Sequence, residues 1–156
     1  MQEYLLLYHS KLDHYLSLDK EYKKISLSVL KFVLFGDFRP RETDFLTQVV
    51  SCYNASFIYH DFKNKMLYIG RADWELDEDI HCPDDEEFPN YVNDTNSCKM
   101  NVDNYLEFRK LWVTLKQELP PFAIIYRDDN DWVSCKGFDS KEEMELFVKE
   151  HTPITN

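Results

Sequence analysis

Acidic side chains are concentrated in residues 73–94, DWELDEDIHCPDDEEFPNYVND. These 22 residues contain ten Asp or Glu and no Lys or Arg, whereas the rest of the chain is nearly neutral, with 19 acids and 18 bases. Ten of the eleven net negative charges therefore lie in one segment. Carboxylates at this density, without basic neighbours to pair with, are suited to bind a cation or a basic surface of another protein.

The spacing of these acids offers one kind of metal chemistry. Four carboxylates fall at positions one, three, five and seven of an EF-hand register, namely Asp73, Glu75, Asp77 and Asp79. Position twelve is Asp84, and Glu78 stands where the sharp turn of such a loop needs Gly. The segment before the register is also predicted to be a strand and not a helix. Calcium binding is therefore an alternative, and the main prediction is that the protein has no metal or other cofactor.

The cysteines are candidate ligands for a second kind of metal site. Cys52, Cys82, Cys98 and Cys135 lie far apart in the sequence and form no CxxC pair. His81, Cys82 and Cys98 could be zinc ligands together with a carboxylate, but structural zinc sites are built from paired ligands at short spacing. The spacing therefore disfavours zinc and indicates reduced thiols.

Histidines are the candidates for acid–base catalysis. His60-Asp61 lies on a predicted strand, and His9 and His14 lie on a predicted helix. Nothing near them reads as an activated nucleophile, and the chain has no GxSxG, P-loop or GxGxxG motif. Its three glycines are too few for a loop that cradles phosphate. An alternating strand places His60 and Tyr59 on opposite faces, so we expect His60 to be a half-exposed surface residue. We also expect the protein not to be an enzyme.

Three aromatic residues stand within the acidic segment, namely Trp74, Phe88 and Tyr91. One interpretation is that they anchor a partner protein, since aromatic side chains provide much of the binding energy at many interfaces. The other interpretation is that they hold the segment against its own body. Both are open for Trp74, which closely follows a predicted hairpin.

The overall charge restricts the class of partner. A pI near 4.8 argues against binding to nucleic acid or to an anionic membrane. The longest apolar stretch, ISLSVLKFVLF, is interrupted by Lys31 and is too short to span a bilayer. No secretory signal is visible at the N-terminus, so the predicted location is cytoplasmic.

Apolar residues at helical spacing, together with capping residues, predict about five helices. They cover residues 1–17, 19–34, 41–53, 101 or 103 to about 119, and 140–151. The fourth helix would bury one apolar stripe, formed by Tyr105, Phe108, Leu111, Trp112 and Leu115. The fifth begins with a capping box formed by Ser140 and Glu143.

Two β-hairpins are predicted between these helices. The first covers residues 56–70 with a turn at Lys63-Asn64, and the second covers residues 122–138 with a turn at Asp129-Asn130. Together the elements predict an α+β fold with one antiparallel sheet of about four strands, made of the two hairpins and covered by about five helices. We expect a single domain over residues 1–156. The acidic segment 73–94 would be a loop inserted between two helix–hairpin units.

The chain resembles the immunity proteins of bacterial toxin systems, of the contact-dependent growth inhibition type. The resemblance lies in its small size, acidity, aromatic-rich α+β character and lack of catalytic motifs. It implies a cytoplasmic inhibitor that binds one cognate toxin domain, often a basic nuclease, and neutralises it. The carboxylates would stand in for the phosphates of the toxin's substrate. The predicted partner-binding residues are Trp74, Asp77, Glu78, Asp79, Asp84, Asp85, Glu86, Glu87 and Tyr91.

Two other classes of function remain open. A nucleic-acid mimic would block a DNA-binding protein, but it needs carboxylates spread along a rigid surface at the spacing of phosphates. Here the carboxylates are crowded into one segment, which favours an inhibitor that blocks a single local site on its partner. The remaining alternative is an enzyme or a metal-binding domain of the kinds considered above.

Overall fold

The computed structural model describes residues 1–11, 14–18, 27, 29–30, 42–53 and 55–152. Within them the chain forms two antiparallel sheets of four strands, together with four α-helices of defined bounds. The fold is therefore α+β, as predicted. The residues group into two compact units: unit 1 comprises Met1–Lys23 and Asp103–Asn156, and unit 2 comprises Lys24–Val102.

The elements are named here in chain order. The strands are β1 (Glu3–His9), β2 (Tyr15–Ser17), β3 (Val50–Tyr53), β4 (Ser56–Asp61), β5 (Met66–Arg71), β6 (Ser97–Asn101), β7 (Phe122–Arg127) and β8 (Val133–Phe138). The α-helices are α1 (Glu42–Thr47), α2 (Phe88–Tyr91), α3 (Val102–Glu118) and α4 (Lys141–His151). A 3₁₀-helix covers Asp73–Glu75.

Unit 1 is a sheet with a helix on each face. Its strands lie in the order β2-β1-β7-β8, and every neighbouring pair is antiparallel. Successive residues of a strand point to opposite faces, and both Ile124 and Ile125 are fully buried, so both faces are covered. On the Ile124 face the cover is α4, through Met144. On the other face it is α3, since the ring of Trp112 lies 5.9 Å from that of Tyr15.

Helix α3 confirms the predicted fourth helix. Its buried residues are Asn104, Tyr105, Phe108, Trp112 and Leu115. Leu111, which was predicted to be buried with them, is 38% exposed because it lies at the edge of this stripe. The buried Asn104 side chain donates to the carbonyl of Val133 (2.7 Å) and accepts from its amide (2.9 Å). Both ends of the side-chain amide are thus paired, and they fix α3 on β8.

Helix α4 begins immediately after Ser140, the predicted N-cap, which forms its half of the predicted capping box. The Oγ atom of Ser140 accepts a hydrogen bond from the backbone amide of Glu143 (3.2 Å), which satisfies one of the unpaired donors of the first turn. Met144 is fully buried, and Phe147 and Val148 pack partly buried against the same cluster. The predicted position of the last helix is therefore confirmed.

The predicted helix over residues 1–17 is wrong, since this stretch forms β1 and β2. Two Tyr residues four positions apart imitate helical spacing there. The alternating Leu5 and Leu7 are the residues that become buried, as expected for a strand between two neighbours. Pairing of β1 with β2 and β7 decides the conformation, and Tyr-rich sequences accept it well.

Unit 2 contains a second sheet in the order β3-β4-β5-β6, again antiparallel throughout. The hairpin predicted over residues 56–70 is confirmed as β4 and β5. Its turn is fixed by Asp61, whose carboxylate accepts from the side-chain amide of Asn64 (2.7 Å) and from the backbone amide of the same residue (3.3 Å). The hydrogen bond from the Asn64 side chain lowers the pKa of Asp61 below its ordinary value.

The two predicted hairpins lie in separate sheets, so the prediction of one sheet is wrong. The second hairpin is β7 and β8 of unit 1. Each sheet is completed by two strands that the sequence did not predict: β1 and β2 in unit 1, and β3 and β6 in unit 2. Strand β6, SCKMN, lacks the β-branched and aromatic residues that favour strands, and pairing with β5 holds it in place.

The predicted helix over residues 41–53 is correct only in its first half. Helix α1 ends at Thr47, and the β-branched and aromatic residues that follow form β3. The predicted helix over residues 19–34 lies mostly outside the described residues. Within it, Leu27, Val29 and Leu30 are helical and buried.

Candidate functional site

The acidic segment 73–94 connects β5 to β6 of one sheet, and not one helix–hairpin unit to the next. It also contains short regular elements where an irregular loop was expected. The 3₁₀-helix opens it, and α2 lies near its end. Pro89 falls in the first turn of α2, where the missing N–H costs no helical hydrogen bond. The acids are therefore presented between two anchored ends.

The anchor is an aromatic platform on one face of the unit 2 sheet, formed by Phe57 and Tyr59 of β4. Both are buried, at 0% and 7% exposure. Phe88 of α2 is buried against them, with ring centroids 5.5 Å from Phe57 and 5.6 Å from Tyr59. An aromatic residue inside the acidic run thus supplies the main contact that holds α2 on the sheet.

Trp74 and Tyr91 complete the platform from the two ends of the segment. The ring of Trp74 lies 5.6 Å from Phe57, 5.9 Å from Phe88 and 5.8 Å from Tyr91. Both residues are only partly buried, so each keeps an accessible edge. The contacts show that these aromatics hold the segment against its own body. Their use as anchors for a partner stays a prediction.

Gly70 gives the platform the room it needs. A Cβ atom at this position would lie 2.5 Å from Cζ of Phe57 and 2.4 Å from the carbonyl oxygen of Asn96. These distances are shorter than van der Waals contact, and one of the two neighbours is backbone. The close packing of the Phe57 ring and of the chain returning into β6 therefore requires glycine. The sequence shows Gly70 only as the end of a predicted strand.

The predicted partner-binding acids all lie at the surface. Exposed side chains are found at Asp77, Glu78, Asp79, Asp84, Asp85, Glu86 and Glu87. Among the residues that the structure describes, Asp73 alone of the ten acids in this segment forms an ion pair, with Arg71 (3.8 Å). Seven exposed carboxylates therefore lie between the two anchored ends of the segment, and none of the seven forms an ion pair with another described residue.

The negative charge acts on neighbouring groups of unit 2. Burial raises the pKa of the Cys52 thiol to about 11, and electrostatic interactions with Cys82, Glu75 and Asp85 add to this effect. Burial also raises the pKa of Cys82, with contributions from Asp84, Glu75 and Asp85. Both thiols are consequently protonated at neutral pH and are poor nucleophiles. The segment is suited to attract cationic groups and not to perform thiol chemistry.

The structure does not assemble a metal site from the residues it describes. Their His, Cys, Asp and Glu side chains include no group of three or more that could hold an ion. Of the considered zinc ligands, His81 and Cys82 are exposed, whereas Cys98 is fully buried. The considered calcium register starts in the 3₁₀-helix.

His60 is buried, so the prediction of a half-exposed residue is wrong. It is 7% exposed, its Nδ1 lies 2.9 Å from the carbonyl oxygen of Phe45, and its ring stacks on Phe62 at 4.1 Å. On an alternating strand His60 lies on the face opposite to Tyr59. Both faces of this sheet are covered, so His60 is buried as well. His9 lies on β1 and not on a helix, where its ring is 5.3 Å from that of Tyr15.

The remaining observations concern membranes and related proteins. In the part of the chain that the structure describes, no helix has both the length and the apolar character needed to cross a bilayer. Comparison of the chain with known protein families, with curated protein sequences and with solved structures found no match in any of the three.

Proposed function

We propose that the protein is an immunity-type inhibitor that binds a basic bacterial toxin domain through the acidic segment 73–94 and neutralises it. The observation that carries this proposal is the set of seven exposed carboxylates mounted on the aromatic platform. A cluster of one sign of charge attracts a partner of opposite charge and raises its rate of association. A basic nuclease is such a partner, because its cleft is built to bind phosphates.

The attachment of the acidic segment to the sheet supports the proposal as much as its charge does. A free acidic loop would lose conformational entropy on binding, and that loss would weaken the complex. Here the two ends of the segment are fixed before binding, by Trp74 at the start and by Phe88 and Tyr91 near the end. Only the exposed stretch between them has to adapt to the partner.

The mechanism is steric and electrostatic. The carboxylates of Asp84, Asp85, Glu86 and Glu87 take positions that substrate phosphates would otherwise occupy, and the sheet behind them closes the toxin's cleft. The accessible edges of Trp74 and Tyr91 add apolar contact at the border of this patch. No covalent step is involved, so inhibition reverses when the complex dissociates.

The experiment measures binding kinetics against the product of the adjacent gene, at low and high salt. The variant replaces Asp84 and Asp85 by Asn and Glu86 and Glu87 by Gln. We expect slower association and a weaker salt dependence, because four steering charges are lost. The fold should be retained, since exposed acids contribute little to stability.

A matched control removes four exposed acids elsewhere, at Glu42, Glu107, Glu142 and Glu145, each replaced by Gln. It has the same net charge as the test variant. If both variants lose association rate equally, only the overall charge matters and the segment is not the contact. If the test variant binds at unchanged rates at both salt concentrations, the proposal is wrong.

A further inference from the structure

Unit 1 has a second acidic surface, in a groove between α4, β8 and the end of α3. The groove has a volume of about 630 Å³. Four exposed carboxylates line it, those of Glu118, Asp139, Glu143 and Glu150. Across the described ranges of the chain, no ion pair involves any of these four acids. The groove thus faces solvent with a concentrated negative charge.

One basic residue lines the groove, and aromatic rings already hold it. The Nζ atom of Lys136 lies 5.0 Å from the ring centroid of Phe147 and 5.5 Å from that of Phe138. A cation in this position is stabilised by the faces of the rings. Lys136 compensates one of the four acids, so the lining keeps a net negative charge.

The groove also offers apolar surface. Leu146 lines it and is 54% exposed, although it lies on the same helix as the buried Met144. Phe147, beside it, is fixed by contacts with the rings of Tyr126 (5.4 Å) and Phe138 (5.5 Å). A rigid aromatic wall next to an exposed Leu, bordered by charge, is the arrangement found at protein interaction sites.

We propose that this groove docks a segment of a protein partner that carries Lys or Arg beside an apolar side chain. Separate basic groups of the segment would pair with Glu143 and with Glu150, which lie seven residues apart on α4, and the apolar group would cover Leu146. A small free cation would satisfy the carboxylates but leave Leu146 in water, so the combination favours a protein segment. The inference goes beyond the proposed function, because it concerns residues of unit 1 and not the acidic segment.

The test is an NMR titration of the full-length chain with a defined probe, the peptide acetyl-Ala-Arg-Leu-Ala-Arg-Leu-Leu-Ala-amide. We expect saturable shifts of the backbone amides of Lys136, Leu146 and Phe147. A control peptide with Gln in place of each Arg should bind about tenfold more weakly, because the complementary charges are missing. Absence of shifts in the groove, or shifts confined to residues 73–94, would overturn the proposal.

Two charge variants of α4 sharpen the test. Glu143→Gln with Glu150→Gln removes two lining acids and should weaken peptide binding about tenfold. Glu142→Gln with Glu145→Gln removes the same charge from the same helix outside the groove, and should change affinity by less than about twofold. Equal losses in both variants would mean non-specific attraction and contradict the proposal. If spermidine produced the same shifts at the same concentrations as the peptide, that result would also contradict the proposal.

Discussion

Asp61 shows how a single side chain fixes a turn that the sequence only outlines. Its carboxylate accepts two hydrogen bonds from Asn64, and these bonds favour the ionised form. The pKa of Asp61 in the folded protein is therefore lower than in the unfolded chain. The stabilisation it provides is present above the unfolded pKa and is lost as the pH falls through the folded pKa.

Replacing Asn64 by Ala should move the pKa of Asp61 back up, toward its ordinary value, since the side-chain hydrogen bond is the largest cause of the shift. The acid end of the stability–pH curve should flatten accordingly. An NMR titration of the Asp61 carboxyl carbon in parent and variant measures both pKa values. Asn130→Ala, in the turn between β7 and β8, is the matched control and should leave Asp61 unchanged. Superimposable titration curves for Asn64→Ala and the parent would contradict the assignment.

Some single residues could not be predicted from the sequence. The register Cys52↔Phe57↔Gly70 across β3, β4 and β5 places the three on one face, and no local pattern reveals this pairing. His60 is similar, because alternation fixes which face a strand residue occupies but not whether that face is covered. The predicted capping residue Ser140 was correct because a cap depends only on its immediate neighbours.

At the scale of elements, the acidic segment combines two kinds of structure. Residues 77–87 are exposed apart from the half-buried Pro83. Their described backbone hydrogen bonds close local turns, such as those from the amide of Ile80 to the carbonyl of Asp77 (3.1 Å) and from the amide of Glu87 to the carbonyl of Asp84 (2.9 Å). Strand β5 beside the segment is paired on both sides. The contacts that resist opening are therefore at the ends of the segment.

Hydrogen exchange on the free protein should show this division. We expect little protection of the amides across residues 77–87, because local turns in solvent open easily, and strong protection at Ile69 within β5. Phe88→Ala should lower protection of the amides of residues 90–92 while leaving Ile69 protected. Strong protection across residues 77–87 in the parent protein would show that the exposed stretch is ordered by contacts other than those at its ends.

Whether an element could be predicted depends on how far along the chain the residues that determine its conformation lie. Helices α3 and α4 and the two hairpins were predictable, because caps, turns and apolar stripes lie within the elements themselves. Strand β1 was not, since its conformation depends on β7, more than a hundred positions later. Strand β6 was not, because its sequence carries no strand signal of its own. The same holds for the candidate site. Its exposed acids could be predicted from the sequence, whereas the sheet face that carries the segment could not.

At the scale of the whole molecule, the chain passes between the two units at two places. The one at Val102–Asp103 lies within continuous secondary structure, and the other lies outside the described residues. Strand β6 ends at Asn101, and α3 begins at the next residue. Independent domains are normally joined by exposed, flexible linkers. This continuity leads us to expect that residues 1–156 unfold as a single cooperative domain.

Trp112→Ala tests that expectation, because it perturbs one unit and can be read in the other. Trp112 is 5% exposed, and truncation of a buried Trp costs about 3–5 kcal/mol of the free energy of unfolding. Urea unfolding, followed by the NMR amide intensities of Ile125 in unit 1 and Ile69 in unit 2, should show both midpoints falling together. Val113→Ala, at a 55% exposed position of the same helix, should change either by less than about 0.5 kcal/mol. If Trp112→Ala lowers the midpoint of Ile125 and leaves that of Ile69 unchanged, the two units are separate domains.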